Sequence, residues 1–250
     1  MSELRGIYSL WLREVRRFLR DRSRLIGSVI TPVLWLVIFG TGLRFSLGIP
    51  GFNYQEFLFP GILGQTLLFT AMFMGISVIW DRQFGFMKEI LVAPISRTSI
   101  FTGKMLGVGT SAMIQGLIVL ALGVIIGVPL GFYQLGMAIP LMMLIAVGLV
   151  CMGLILASLM TSLESFGTIA TFVNMPMFFL SGALFPVSVL PLWLKWAFYL
   201  NPLTYGVDAL RTVIMSGWQP LLPLQYDVLI ICAFDLVAIA VGTYTFSRRQ

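Results

Sequence analysis

Six long apolar stretches are the feature that most constrains how this 250-residue chain can fold. A bilayer core of about 30 Å needs roughly 20 mostly apolar residues in a helix, and each stretch meets that length. Only 10% of the residues are charged, far below the roughly 25% of ordinary soluble domains. The sequence therefore predicts an all-α polytopic membrane protein that forms one membrane domain over residues 1–250. The predicted transmembrane segments are 25–43, 57–80, 105–127, 136–160, 166–185 and 227–246.

The positive charges divide unequally between the two ends of these segments. Of the 16 lysines and arginines, 13 lie before the first segment, between the second and third, or after the sixth. Arg44, Lys195 and Arg211 are the three on the alternate side. The positive-inside rule then predicts a multi-pass protein of the cell (plasma or inner) membrane with both termini in the cytoplasm. Because topology explains the net charge of +6, no nucleic-acid partner is predicted.

The first 24 residues have the spacing of an amphipathic helix. Apolar side chains recur at steps of three, one or four, with arginines on the other face. We expect this segment to lie flat on the inner leaflet of the membrane, as a simple anchor or as a working part. The apolar positions are Leu4, Ile7, Tyr8, Trp11, Val15, Phe18 and Leu19.

Two further segments do not span the bilayer. Residues 81–104, here called the coupling segment, contain a short helical pattern that stops at Pro94 and a second helix expected to begin near Ser96 or Thr98. This pattern suits either a rigid element presented to a soluble partner or a plain surface hairpin. Residues 186–226 are too apolar for a solvated loop, and they predict two short helices, broken at Asn201 and Pro202, that dip into the outer leaflet.

Sequence patterns for catalysis, metal binding or nucleotide binding are missing. Histidine is absent, Cys151 and Cys232 both lie inside apolar stretches, and no metal-ligand spacing occurs. The Gly103–Lys104 pair is followed by Met105, so it does not fit a phosphate-binding loop. We therefore predict a protein that is not an enzyme, with no catalytic residues, no metal and no cofactor of its own.

Two sequence runs resemble the permease subunits of ABC-2 type ABC transporters, the group that includes drug, nodulation-factor and polysaccharide exporters. The first is "RQFGFMKEILVAPISRTSIFTGKMLG", and the second is "LPLWLKWAFYLNPLTYGVDALR". In the second run, Pro202, Leu203, Tyr205 and Arg211 match the family's Pro, aliphatic, aromatic-or-basic and Arg pattern. Asn174 departs from the family, which has an apolar or small hydroxyl residue there. The resemblance extends over the whole chain and implies a type V exporter-like arrangement.

The resemblance implies partners and sites as well. The chain would act as a homodimer with two copies of a nucleotide-binding ATPase subunit, and ATP and Mg²⁺ would be bound by that partner. A coupling helix would contact the ATPase, the second and fifth spans would face the substrate pathway, and the outer helix would belong to an extracellular gate. The coupling residues are Phe84, Phe86, Met87, Lys88, Glu89, Ile90 and Leu91. The pathway residues are Phe69, Met72, Phe73, Asn174, Met175 and Phe178, and the gate residues are Pro202, Tyr205, Asp208 and Arg211.

Polar residues inside the predicted spans are the remaining candidates. Gln65, Gln115 and Asp235 are expected mainly to bond neighbouring helices, and Asp235 needs a partner or a proton in that environment. The expected function is ATP-driven export of an amphipathic, drug-like or lipid-linked substrate. Export of polysaccharide or lipo-oligosaccharide by the same family stays open, as does another class, an ATP-independent channel or a membrane-embedded enzyme.

Overall fold

A computed structural model describes residues 3–47, 54–86, 90, 92, 94–187, 191–215 and 217–249 of the chain. These residues form ten helices joined by turns, with no strand among them, so the all-α prediction is confirmed. In chain order the helices are α1 (Glu3–Arg20), α2 (Arg22–Leu47), α3 (Tyr54–Met74), α4 (Ile76–Gln83), α5 (Arg97–Ile126), α6 (Phe132–Leu159), α7 (Leu163–Phe179), α8 (Leu192–Leu200), α9 (Pro202–Ile214) and α10 (Leu224–Arg249).

Four segments of the described chain are long and apolar enough to cross a membrane. They are Tyr54–Gln83, Arg97–Ile126, Phe132–Leu159 and Leu224–Arg248. A fifth candidate combines Glu3–Arg20 with Leu25–Gly40, which meet at a bend of 74°. The predicted fifth span corresponds to α7, whose 17 residues rise only about 25 Å. The membrane class is thus confirmed, whereas the count of six spans stays a prediction.

Helices α3 and α4 form one span with a break at Gly75. A Cβ at Gly75 would lie 2.6 Å from the carbonyl oxygen of Gly153 in α6, and a Cβ at Gly153 would lie 2.7 Å from the carbonyl oxygen of Ala71. Small residues allow helix backbones in a membrane to approach this closely. The contact brings α4, which carries Asp81 and Arg82, against the C-terminal half of α6.

Helix α1 packs along the first turns of α5. The contact depends on Gly107, where a Cβ would lie only 2.5 Å from Cβ of Glu14. The indole nitrogen of Trp11 also donates a hydrogen bond to Thr110 Oγ1 over 2.9 Å. Helix α1 therefore packs closely against the backbone of α5 at Gly107, and the hydrogen bond from Trp11 to Thr110 also joins the two helices.

The apolar side chains predicted to form one stripe on α1 are partly buried in the protein and partly exposed on its surface. Val15 and Phe18 are buried in the protein, whereas Leu4, Tyr8 and Leu19 are exposed. The buried face is completed by Leu10 and Glu14, which the periodicity did not single out. An interfacial helix needs apolar side chains toward lipid as well as toward protein, and one stripe does not distinguish these two directions.

The break predicted at Asn201 and Pro202 is present between α8 and α9. The Asn201 side chain accepts a hydrogen bond from the backbone N–H of Leu203 (3.1 Å) and donates one to the carbonyl oxygen of Met177 (2.6 Å). It therefore caps α9 and ties this helix to the end of α7. Helix α9 is buried along most of its 13 residues against α3, α6 and α10, which suits a short helix packed in protein. Its re-entrant position in a membrane stays a prediction.

Replacing Gly107 with alanine tests the contact between α1 and α5. We expect Gly107→Ala to destabilise the purified protein by about 1–3 kcal/mol, because the new methyl group overlaps Glu14. Gly109→Ala is the matched control on the same helix, since a Cβ there has no neighbour within 4 Å. Thermal unfolding in detergent should show a lower melting temperature for the first variant only. Equal melting temperatures would contradict the close approach.

Candidate functional site

Both ends of the described chain meet the coupling segment at one end of the helix bundle. The carboxylate of Glu3 accepts hydrogen bonds from the backbone N–H of Ser96 at 3.1 Å and from its hydroxyl at 3.1 Å. Ser96 in turn caps α5, since its hydroxyl accepts a hydrogen bond from Ser99 N–H, as the sequence predicted. Near the C-terminus, the Arg97 guanidinium donates to the carbonyl oxygen of Ser247. The cytoplasmic location of this end remains a prediction of the charge pattern.

A buried ionic cluster of Arg13, Glu14, Asp81 and Lys104 lies just inside this end. The Lys104 side chain is 0% exposed; its Nζ donates to Asp81 Oδ2 and lies 3.2 Å from Glu14 Oε1. Arg13 bridges the same two carboxylates and lies 3.0 Å from Glu14 Oε1. Arg17 is at the edge, with Nη1 3.7 Å from Asp81 Oδ1. Helices α1, α4 and α5 each contribute at least one charge.

The cations of the cluster keep Glu14 ionised despite its burial. Burial alone would raise the pKa of Glu14, but Lys104 and Arg13 lie close enough that the net shift is downward. Burial likewise acts to lower the pKa of Arg13, and the carboxylates of Asp81 and Glu14 outweigh it and raise that pKa. Removing one member of such a buried set leaves an uncompensated charge, so the three helices depend on one another.

Arg82 fastens α4 on its other side. Its guanidinium donates to the carbonyl oxygens of Met160 (2.9 Å) and Ser158 (3.3 Å), and Gln83 Nε2 donates to the carbonyl oxygen of Thr161 (3.3 Å). These carbonyls belong to the last turn of α6 and to the two residues after it, where helix carbonyls lack intrahelical partners and favour cations. Asp81 and Arg82 together hold α4 between α1 and α5 on one side and α6 on the other.

The coupling segment turns away from the contacts of Asp81 and Arg82 at Phe84 and Gly85. Gly85 has φ +81°, a left-handed conformation that turns the chain after α4. Phe84 and Phe86 are 63% and 52% exposed, which is unusual for phenylalanine and suits a contact surface. Ile90 packs against the core of the protein. The predicted coupling residues Met87, Lys88, Glu89 and Leu91 lie outside the described residues.

The predicted pathway residues divide into two groups. Phe69 and Phe73 line a cavity of about 260 Å³ between α2, α3 and α5, together with Gln115. Met175 lies on the exposed face of α7, beside a second cavity of about 560 Å³. Met72, Asn174 and Phe178 are buried within the chain, and the Asn174 amide has no hydrogen-bond partner among the described residues.

The polar residues predicted inside the spans are all buried. Gln115 accepts a hydrogen bond from the Thr70 hydroxyl and thereby joins α5 to α3. Asp235 lies against Gly148, at the contact of α10 with α6. Gln65 is buried in α3. The predicted bonding of helices is seen for Gln115, and for Gln65 and Asp235 it stays a prediction.

Arg211, a predicted gate residue, joins three parts of the outer end. Its guanidinium donates to the carbonyl oxygens of Phe57 (3.2 Å), Gly182 (3.0 Å) and Ala183 (3.4 Å). The same group lies 3.9 Å from the ring centroid of Phe57 and 5.0 Å from that of Trp218. Burial lowers the pKa of Arg211 to about 10, so the group remains charged at neutral pH. The family motif arginine therefore ties α9 to the start of α3 and to the turn after α7.

Asp208 and Arg211, which stand three residues apart on α9, bind other groups rather than each other. The Asp208 carboxylate accepts hydrogen bonds from Trp218 Nε1 (3.2 Å) and from the backbone N–H groups of Leu221 (2.7 Å) and Leu222 (3.4 Å). Spacing of three on a helix permits a pair, but here each side chain binds backbone groups outside α9 instead. Tyr205 donates to the carbonyl oxygen of Tyr199 (2.7 Å), and Pro202 is the first residue of α9.

Long apolar helices define the chain as a membrane protein, and comparison with known proteins gives its family. The model of the ABC-2 type transporter family matches residues 5–215. The chain therefore belongs to the ABC-2 type transporter family, as its sequence motifs indicated.

Two of three relatives of the chain are named as transport permeases. "Putative transport permease ycf38" of Cyanophora paradoxa is 30% identical over 250 residues, covering 92% of this chain and 86% of its own length. "Nodulation protein J" of Rhizobium leguminosarum bv. viciae is 26% identical, with 91% and 88% covered. "Inner membrane transport permease YadH" of Escherichia coli (strain K12) is 26% identical, with 82% and 81% covered. This chain is a membrane protein of the transport permease class.

The ionic cluster is tested by replacing its lysine. We expect Lys104→Met to destabilise the protein by about 3–5 kcal/mol, because Glu14 and Asp81 lose their buried cation. Adding Glu14→Gln should recover part of the loss, since it removes one of the two uncompensated carboxylates. Arg97→Met, an exposed cation on the same helix, is the control. Thermal unfolding of all four proteins measures the effect, and a Lys104 variant as stable as the control would rule out the cluster.

The outer contact is tested by changing Arg211 to lysine, which keeps the charge. We expect a loss of about 2–3 kcal/mol, because an ammonium group lacks the planar guanidinium that stacks on Phe57 while donating to three carbonyls. Arg248→Lys is the matched control, since Arg248 also lies over a ring, that of Tyr244 at 4.7 Å, but is exposed. Melting temperatures in detergent should separate the two variants, and equal values would contradict a structural role for the guanidinium.

Proposed function

We propose that this chain is the permease subunit of an ATP-driven exporter and that a separate ATPase subunit supplies the energy. The observation that carries the proposal is that ion pairs and hydrogen bonds hold α4 to its neighbours on two sides. Asp81 and Arg82 fix this helix to three others, while the next residues present two exposed phenylalanines. A force applied at Phe84 and Phe86 would therefore be transmitted into α1, α5 and α6 rather than being absorbed by a flexible loop.

The chemistry of the exposed end suits docking on a protein. Aromatic side chains in the middle of an interface commonly carry much of the binding energy, and charges at the rim fix register. Phe84 and Phe86 supply the first feature, and Lys88 and Glu89 follow directly in the sequence. The sequence has no phosphate-binding loop of its own, which supports an ATPase on another chain. We expect two ATPase copies and a second copy of this permease.

The cavities support an amphipathic substrate. Phe69, Phe73, Gln115 and Thr70 combine apolar walls with polar atoms in one cavity, and Phe172 and Met175 present soft apolar side chains on the exposed face of α7. Such surfaces suit a drug-like or lipid-linked molecule that leaves the cytoplasm or the inner leaflet. An exposed α7 face also suits contact with a second permease around a shared pathway. Polysaccharide or lipo-oligosaccharide export by the same architecture is the alternative.

The proposal is tested by uncoupling the permease from its ATPase. We expect Phe86→Ala combined with Glu89→Ala to abolish cargo-stimulated ATP hydrolysis in vesicles that contain this chain and its co-expressed ATPase subunit. The expected loss is at least about tenfold, because the central aromatic contact is removed. Candidate amphipathic cargos are added to the wild-type complex to find one that stimulates turnover.

Phe132→Ala is the control for this experiment, because Phe132 is an exposed phenylalanine at the opposite end of the bundle, the start of α6. It should leave stimulation unchanged. If no ATPase binds the wild-type chain, or if the double variant assembles and responds like wild type, the coupling proposal is wrong. An ATP-independent channel would then be the better description.

A further inference from the structure

Four arginines of α1 line one side of a cavity of about 700 Å³, here called the arginine cavity. Arg13, Arg16, Arg17 and Arg20 are spaced by three, one and three residues, so they share one face of the helix. Trp80 and Phe84 form part of the opposite wall. The volume is within the range of small-ligand sites, roughly 300–1,000 Å³.

The ionic cluster satisfies only part of this charge. Arg13 and Arg17 approach Asp81, but Arg16 and Arg20 have no carboxylate partner among the described residues. The three cations Arg13, Arg17 and Lys104 already outnumber Glu14 and Asp81, so the arginine cavity has a net positive charge. Its complement is an anion that arginine can bind with two parallel hydrogen bonds, as it binds phosphate.

The surroundings of the arginine cavity favour a lipid headgroup over an acidic protein segment. Tyr8 lines it and is exposed on the same side of α1 as Leu4, while Trp80 forms its wall. Exposed apolar side chains beside arginines place an amphipathic helix at the boundary between acyl chains and headgroups. Tyrosine and tryptophan are enriched at that depth as well. Lipid phosphates are therefore available at the height of Arg16 and Arg20.

We propose that the arginine cavity binds the headgroup of an anionic phospholipid of the inner leaflet. The phosphate contacts Arg16 and Arg20. Tyr8 on α1 and Trp80 on α4 pack against the glycerol region. Since Phe84 also lines the cavity, the bound lipid touches the residue that begins the coupling segment. The inference does not depend on the proposed ATPase partner or on the identity of the cargo.

The test measures which phospholipid stays with the purified full chain. The detergent-solubilised protein is incubated with mixed micelles containing equal amounts of phosphatidylglycerol and phosphatidylcholine, and native mass spectrometry counts the retained lipids. We expect wild type to retain phosphatidylglycerol selectively. Arg16→Gln with Arg20→Gln should lower that selectivity about tenfold, because two phosphate-binding charges are lost.

The matched control is Arg5→Gln with Arg248→Gln, which removes two exposed arginines from the same end of the bundle without touching the cavity lining. It should stay within about twofold of wild type. Both variants should melt like wild type, since none of the four arginines belongs to the ionic cluster. Equal loss of selectivity in the two variants would mean attraction by net charge alone, and the proposal would be wrong. Unchanged lipid selectivity with loss of ATPase binding would make the cavity a protein docking surface and would also overturn it.

Discussion

The contact of Lys104 with Glu14 and Asp81 is the interaction on which the packing of α1, α4 and α5 depends. A lysine with no exposed side-chain surface needs its partners in place, and those partners come from two other helices. The requirement explains why α1 approaches α5 so closely that a glycine is needed at Gly107. It also explains why the end of α4 is drawn into the bundle instead of extending into a loop.

Such a cluster contributes more to geometry than to net stability. Burying ions has a large desolvation cost, which Coulomb attraction and hydrogen bonds only roughly offset. The benefit is that few arrangements of α1, α4 and α5 satisfy all the charges at once. For the proposed role of transmitting force from an ATPase, a unique arrangement has a clear use, since displacement of α4 would not be absorbed by slipping against its neighbours. The bonds of Arg82 to the end of α6 have the same effect on the other side.

Sequence reasoning predicted most of the helices because span length, the break at Asn201 and Pro202 and a cap near Ser96 or Thr98 are local signals. The family resemblance implied that Asp81 and Arg82 form charged pairs either at the rim of a partner contact or with the N-terminal helix, and Asp81 pairs with Arg13 and Arg17 of α1. Glu14 and Lys104 were not identified as partners, because their contact joins residues 90 positions apart and no periodicity reports such a distance. A usable signal existed, since Lys104 continues directly into the apolar run of α5, where an unpaired cation is unfavourable. For Asp208 and Arg211, local spacing was misleading, because the backbone groups that bind them come from distant turns.

The segment Tyr54–Gln83 connects the two ends of the molecule. At its outer end, Arg211 binds the carbonyl of Phe57 and lies over its ring; at its inner end, Asp81 and Arg82 join the ionic cluster and α6. Thirty helical residues extend about 45 Å, enough to cross the hydrocarbon core. The break at Gly75 lies within this segment, where it packs on Gly153. A tilt of α4 therefore either rotates α3 and strains the Arg211 contacts or is taken up at Gly75. Because Gly75 and Gly153 are in backbone contact, a large bend there would have to separate α3 from α6. Rotation of α3, which carries the movement of α4 to Arg211 and the helix pair α8–α9, is therefore less obstructed than bending at Gly75.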